Sequence, residues 1–186
     1  MAGFYTVRMA EIPPVLESLV QRAERLLSRL EGVLPHPLAP PDWQASIAYR
    51  YRRRGASGWL QPVRLVAAIG LDDLKEVDGQ KERLVRNTAQ FVAGLPANNV
   101  LLTGARGTGK SSLIKACLNQ FAPQGLRLIE VDKADLVDLP DLVDLVAGRR
   151  ERFIVFCDDL TFDAGEAGYK ALKVALDGSI AGPSGN

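Results

Sequence analysis

With 186 residues, 47% of them apolar and 6% aromatic, the chain can bury one medium-sized core, or a core with an N-terminal appendage. A formal net charge of +1 supplies no overall basic or acidic field of the kind that nucleic acid or a membrane surface attracts. Residues 1–11 lack the basic start and long apolar run of a secretory signal, and no apolar stretch approaches the ~20 residues of a membrane helix. Cys117 and Cys157 both lie in apolar segments and read as buried thiols, not a disulfide. The expectation is a soluble cytoplasmic protein with no membrane partner.

The first predicted element is a helix opened by Pro13-Pro14 and stopped by Gly32. Leu16, Leu19, Val20, Ala23, Leu26, Leu27 and Leu30 share one face, while Arg22, Glu24, Arg25 and Arg29 lie off it. Such a face needs cover, from its own chain or from another protein, and packing within the chain is the simpler expectation. Four prolines between residues 33 and 41 mark a linker. His36, the only histidine, lies in that linker without companion ligands and reads as a surface residue. The run Ala48-Tyr49-Arg50-Tyr51-Arg52-Arg53-Arg54-Gly55, with Trp59 close behind, interleaves arginines and aromatics. That composition suits nucleic-acid contact, a solvated face or an acidic partner.

Residues 63–69 are apolar enough for a strand or a packed linker. A helix is expected over residues 80–92, with Asp78 as N-cap, Gly94 as stop, and Leu84, Val85, Thr88, Phe91 and Val92 inward. Pro96-Ala97-Asn98-Asn99 then turns into a short strand at residues 100–102. Between that strand and an apolar-periodic helix (Leu113, Ile114, Cys117, Leu118, Phe121), Gly104, Gly109, Lys110 and Ser111 fit G-x-x-x-x-G-K-[ST], the phosphate-binding loop. Its residue types follow from its task. Glycines let backbone N–H groups approach phosphate oxygens, and the helix N-terminus adds roughly half a positive charge. The candidate ligand-binding residues are Gly104, Ala105, Arg106, Gly107, Thr108, Gly109, Lys110, Ser111 and Ser112. Lys110 brings an ammonium to the β- and γ-phosphates, and the Ser111 hydroxyl can ligate Mg²⁺.

Pro123-Gln124-Gly125 turns the chain into a strand at residues 126–131, and a helix starts near Asp138 and carries Leu142, Val143, Leu145 and Val146. Residues 153–157 are apolar throughout, as in a central parallel strand covered on both faces, and they end in Asp158-Asp159. A last helix is expected over residues 166–176. Strand–helix alternation from residue 100 onward predicts an α/β domain with a parallel sheet and helices on both faces. Carboxylates at the C-terminal end of a buried strand lie where such sheets bind ligands. Asp158 therefore takes the place of a Walker B aspartate, holding Mg²⁺ with Ser111, and Asp159 that of a residue that polarises water.

Asp78-Gly79-Gln80-Lys81, Asn87-Thr88, Pro96-Ala97-Asn98-Asn99-Val100, residues 104–112 and Phe156-Cys157-Asp158-Asp159-Leu160 together resemble a bacterial AAA+ P-loop ATPase family classed as a domain of unknown function. Tyr169-Lys170-Ala171-Leu172-Lys173 and Leu176-Asp177-Gly178-Ser179-Ile180 extend the resemblance. It implies Mg-ATP as cofactor, an adenine pocket near residues 74–79, a homo-oligomer when the module is complete, and remodelling of a protein partner. The paired aspartates also resemble those of replication initiators and helicase loaders. The sequence divides on this basis into a helical and Pro/Arg-rich segment, 1–62, and a partial ATP-binding domain, 63–186.

The family pattern continues into a sensor strand, an arginine finger and a helical lid, which this sequence lacks. In that pattern the sensor strand separates the phosphate-loop strand from the strand ending in Asp158. Residues 100–103 and 153–157 are therefore expected to have lost a shared neighbour, and the chain to bind ATP more readily than it hydrolyses it. Two other readings stand beside this one. A P-loop kinase for a small molecule would place those two strands side by side. A non-catalytic interaction protein would keep a vestigial nucleotide site.

Overall fold

The computed structural model describes residues 14–31, 38–55, 57–160, 169–170 and 172–174. It resolves two compact units, Met1–His36 and Pro37–Asn186. The first holds helix α1 (Pro14–Glu31), which starts on proline at its first turn as anticipated. Leu16, Leu19, Val20, Leu26 and Leu27 on its apolar face are exposed.

The second unit is built on a four-stranded sheet of order β2-β1-β3-β4. β1 (Ala48–Arg54) and β2 (Ser57–Pro62) form an antiparallel hairpin. β3 (Leu126–Glu130) runs parallel to β1, and β4 (Arg152–Phe156) runs parallel to β3. The sheet is thus mixed, not purely parallel, and the correction comes from the hairpin. Tyr49 and Tyr51 are buried while Arg50 and Arg52 beside them are more exposed, the period-two alternation of a strand. A side chain at Gly58 would collide with the Tyr51 hydroxyl, which donates to Asp138 Oδ2 at 2.8 Å. The boundary drawn at residue 62 consequently falls inside this unit, because the hairpin is hydrogen-bonded to β3.

Each face of the sheet has its own core. On one side Ala48, Leu126 and Leu128 meet α2 (Asp78–Val92) and α3 (Lys110–Phe121) through Leu84, Leu113, Ile114, Cys117, Leu118 and Phe121. On the other, Tyr49, Tyr51, Ile129 and Phe153 meet Trp43 and α4 (Leu139–Val146) through Leu142 and Val146. The inward stripes read from the sequence match these contacts except at Val143, which joins neither core, and helices do cover both faces. Asp78 lies in the first turn of α2, whose N-cap is Val77. Gly94 follows the helix with φ +75°, a conformation that glycine adopts at least cost.

Two expected strands come out differently. Residues 63–69 form a connection without strand pairing, held to α3 by the Asn119 amide donating to the carbonyls of Ala67 and Ile69 at 2.8 and 2.9 Å. Residues 100–103 likewise join no ladder, and Val100 and Leu101 are 48% and 77% exposed. β4 is the outermost described strand, not a central one, and pairs with β3 alone. Its continuous apolarity reflects cover on both faces, with Phe153 in one core and Ile154 and Phe156 against the other. Residues 100–103 form no strand, so no ladder joins them to β4. The helix expected over 166–176 falls mostly outside the described residues, of which 169–170 and 172–174 are helical.

Both cysteines are free, Cys117 buried and Cys157 half-buried. Burial pushes each thiol up to about 11. At pH 8 the native protein is expected to alkylate roughly 100-fold more slowly than free cysteine, with guanidinium restoring the full rate at both sites. Rapid labelling of the native chain would contradict this.

Candidate functional site

The loop between residue 103 and α3 turns through three glycines with positive φ: Gly104 at +141°, Gly107 at +83° and Gly109 at +82°. A β-carbon on Gly109 would meet nothing within 4 Å, so the demand there is conformational. Gly109 is the N-cap of α3, and no side chain caps that helix. Its first N–H groups therefore remain available to an anion in front of the loop.

Within the loop the Thr108 hydroxyl donates to the Ala105 carbonyl at 2.9 Å, closing the turn. The Lys110 ammonium folds back over it, donating to the carbonyls of Gly104 at 2.9 Å and Ala105 at 2.7 Å. Ala105, Arg106, Gly107 and Thr108 are exposed, and Ser111 and Ser112 are half-buried in the first turn of α3. The residues singled out from the sequence thus form one loop and the first turn of α3, but the ordered conformation of Lys110 could not be read from sequence.

The Ser111 hydroxyl donates to Asp158 Oδ2 at 2.6 Å across 47 positions of sequence. That hydrogen bond, above all, holds the Asp158 carboxyl below its ordinary value, with the Asp159 backbone N–H and the nearby Lys110 charge acting in the same direction. Asp158 is thus an anion next to a hydroxyl, a pair of hard oxygen donors suited to a small divalent cation. Asp159 does not lie on the strand. It follows β4 in a left-handed turn, φ +50°, and its N–H donates to Asp158 Oδ1 at 3.0 Å. Its orientation is set by that turn and not by strand alternation. Among the described residues no cluster of three or more His, Cys, Asp or Glu side chains is poised for a metal, so a cation here would need further oxygens from its ligand or from water.

Sequence reasoning missed how the loop is braced. The Asn87 side chain on α2 both donates to the Asn98 carbonyl at 2.8 Å and accepts from the Asn98 N–H at 2.9 Å. This two-point clasp imitates a strand neighbour for the unpaired segment that leads into the loop. Lys81, also on α2, donates to the carbonyls of Leu71 and Leu74 at 3.1 and 2.8 Å and pairs with Asp78 at 3.0 Å. The signal available was an asparagine on a helix face together with an Asn-Asn turn eleven positions on.

A family model described as "Protein of unknown function (DUF815)" matches residues 44–186, and the chain belongs to that family. No curated protein and no solved structure matches it.

Proposed function

We propose that this DUF815 member binds Mg-ATP through residues 104–112 and is, in AAA+ fashion, an ATPase that remodels a protein partner. The observation that carries the reading is the meeting of Ser111 with Asp158 at the mouth of the loop. A loop that merely capped a helix would have no use for a distant carboxylate on its serine. In this reading backbone N–H groups of residues 105–111 and the α3 N-terminus hold the phosphates. Lys110 would exchange its two carbonyl partners for phosphate oxygens, Ser111 and Asp158 would hold Mg²⁺, and Asp159 would orient water. The cation, when bound, neutralises phosphate charge. The segment near residues 74–79, tied to α2 by Lys81, would border the adenine, and the protein would act as an oligomer.

The small-molecule kinase reading, which calls for a ladder between β4 and residues 100–103, finds none among the described strands. A vestigial site is the alternative that binding data decide. Titration with mant-ATP should saturate in the presence of Mg²⁺ and weaken several-fold in EDTA. Asp158→Asn should reduce the Mg²⁺ dependence while leaving metal-free binding in place. Absence of any binding by the wild type would remove the proposal and favour the vestigial reading.

A further inference from the structure

We propose that one face of the β1–β2 hairpin binds single-stranded nucleic acid. The cross-strand register sets Arg50 opposite Gln61, Arg52 opposite Trp59 and Arg54 opposite Ser57. Strand alternation puts all six on the face opposite Tyr49, Tyr51 and Leu60. The latter three are buried, which removes both tyrosines as stacking groups and leaves Trp59, 44% exposed, as the aromatic of the patch. What the sequence presents as interleaved arginines and aromatics is thus sorted by the strand into a core face and a cationic face with one open ring.

The arrangement is partly preorganised. Glu130 at the end of β3 holds the Arg50 guanidinium, accepting from Nε at 2.9 Å with the terminal nitrogen at 2.8 Å. Gln61 Oε1 accepts from Arg52 Nε at 3.4 Å. Arg50, Arg52, Gln61 and Arg64 line an open groove of about 310 Å³. Along β1 the three arginines recur every second residue, about 6.8 Å apart. That regular row of cations can follow a sugar–phosphate backbone, and the adjacent exposed indole can stack on an unpaired base. A chain of net charge +1 has no global field to produce such binding, so the effect must come from this patch. A duplex keeps its bases stacked inside and would leave the indole unused. An acidic protein would use the arginines but not require the ring.

The test is fluorescence anisotropy of the full chain with a labelled oligothymidylate about a dozen nucleotides long, titrated over a range of salt concentrations. Binding should fall with salt, and Arg52→Gln with Arg54→Gln should lower the log–log slope by about 0.7 for each phosphate that is no longer neutralised. Trp59→Ala should weaken binding by about 5- to 150-fold, and Trp59→Phe should retain most of it. Thermal melting of each variant checks that the buried face is intact. No binding by the wild type, or an affinity and slope indifferent to these substitutions, would overturn the proposal. So would tighter binding of the matching duplex that ignores Trp59. Equal competition by polyglutamate, also insensitive to Trp59, would reassign the face to acidic proteins. None of these outcomes depends on ATP, so the result stands apart from the nucleotide site.

Discussion

Replacing Lys110 by alanine is expected to weaken mant-ATP binding by about 10- to 100-fold while leaving the melting temperature almost unchanged. The magnitude follows from the hydrogen bonds that the ammonium can make with phosphate oxygens, each bond to a charged group being worth about 1.5–3 kcal/mol. Its present partners are weaker claims on it. The carbonyls of Gly104 and Ala105 lie on an exposed loop, and water replaces the ammonium there at little cost. Lys110 is also the first residue of α3, a position where alanine is well tolerated. Loss of affinity without loss of stability is therefore the signature of a ligand-binding side chain. Titration and a thermal melt on the same preparation read both quantities. Unchanged mant-ATP affinity would mean that the ammonium serves only to close its own loop.

What the sequence made legible was local. The glycine spacing of the loop, the inward stripe of α3 and the apolar β4 each follow from short-range pattern, and each is where the pattern put it. The larger misreadings concern which strand lies beside which. Apolar residues at 100–103 say that the segment prefers an extended form, but a strand exists only when a neighbour completes its hydrogen bonds, and none of the described strands does so. The same blindness moved β4 from the centre to the edge. It also hid the hairpin, where the arginines drew attention to charge although the Tyr-Arg-Tyr-Arg alternation carried the period of a strand. The pairing of Ser111 with Asp158 was expected from chemistry. The Asn87 clasp on Asn98 was not, because a side chain that imitates a backbone neighbour leaves no periodic trace.

Phe153→Ala is expected to be the most destabilising of the substitutions considered, by about 3–5 kcal/mol, lowering the melting temperature by roughly 6–20 °C. Phe153 is 6% exposed, and its ring meets Trp43 edge-on at 4.8 Å between centroids, while Trp43 meets Tyr49 in the same manner at 5.0 Å. Three aromatic side chains from β4, β1 and the segment preceding β1 thus close one core, and α4 covers them with Leu142 and Val146. Truncating the ring leaves a void that a close-packed interior fills poorly. It also forfeits an aromatic pair worth about 0.5–1.5 kcal/mol beyond its buried area. Because β4 pairs with β3 alone among the described strands, no second described ladder holds it once that packing is gone. The phosphate loop and α3 belong to the opposite face of the sheet, so the folded fraction should still bind mant-ATP normally at low temperature. Phe153→Leu, which refills most of the volume, should recover the greater part of the stability. Chemical denaturation of the three proteins measures the difference, and a cost below about 1 kcal/mol for alanine would mean that this core is far more loosely packed than its geometry indicates.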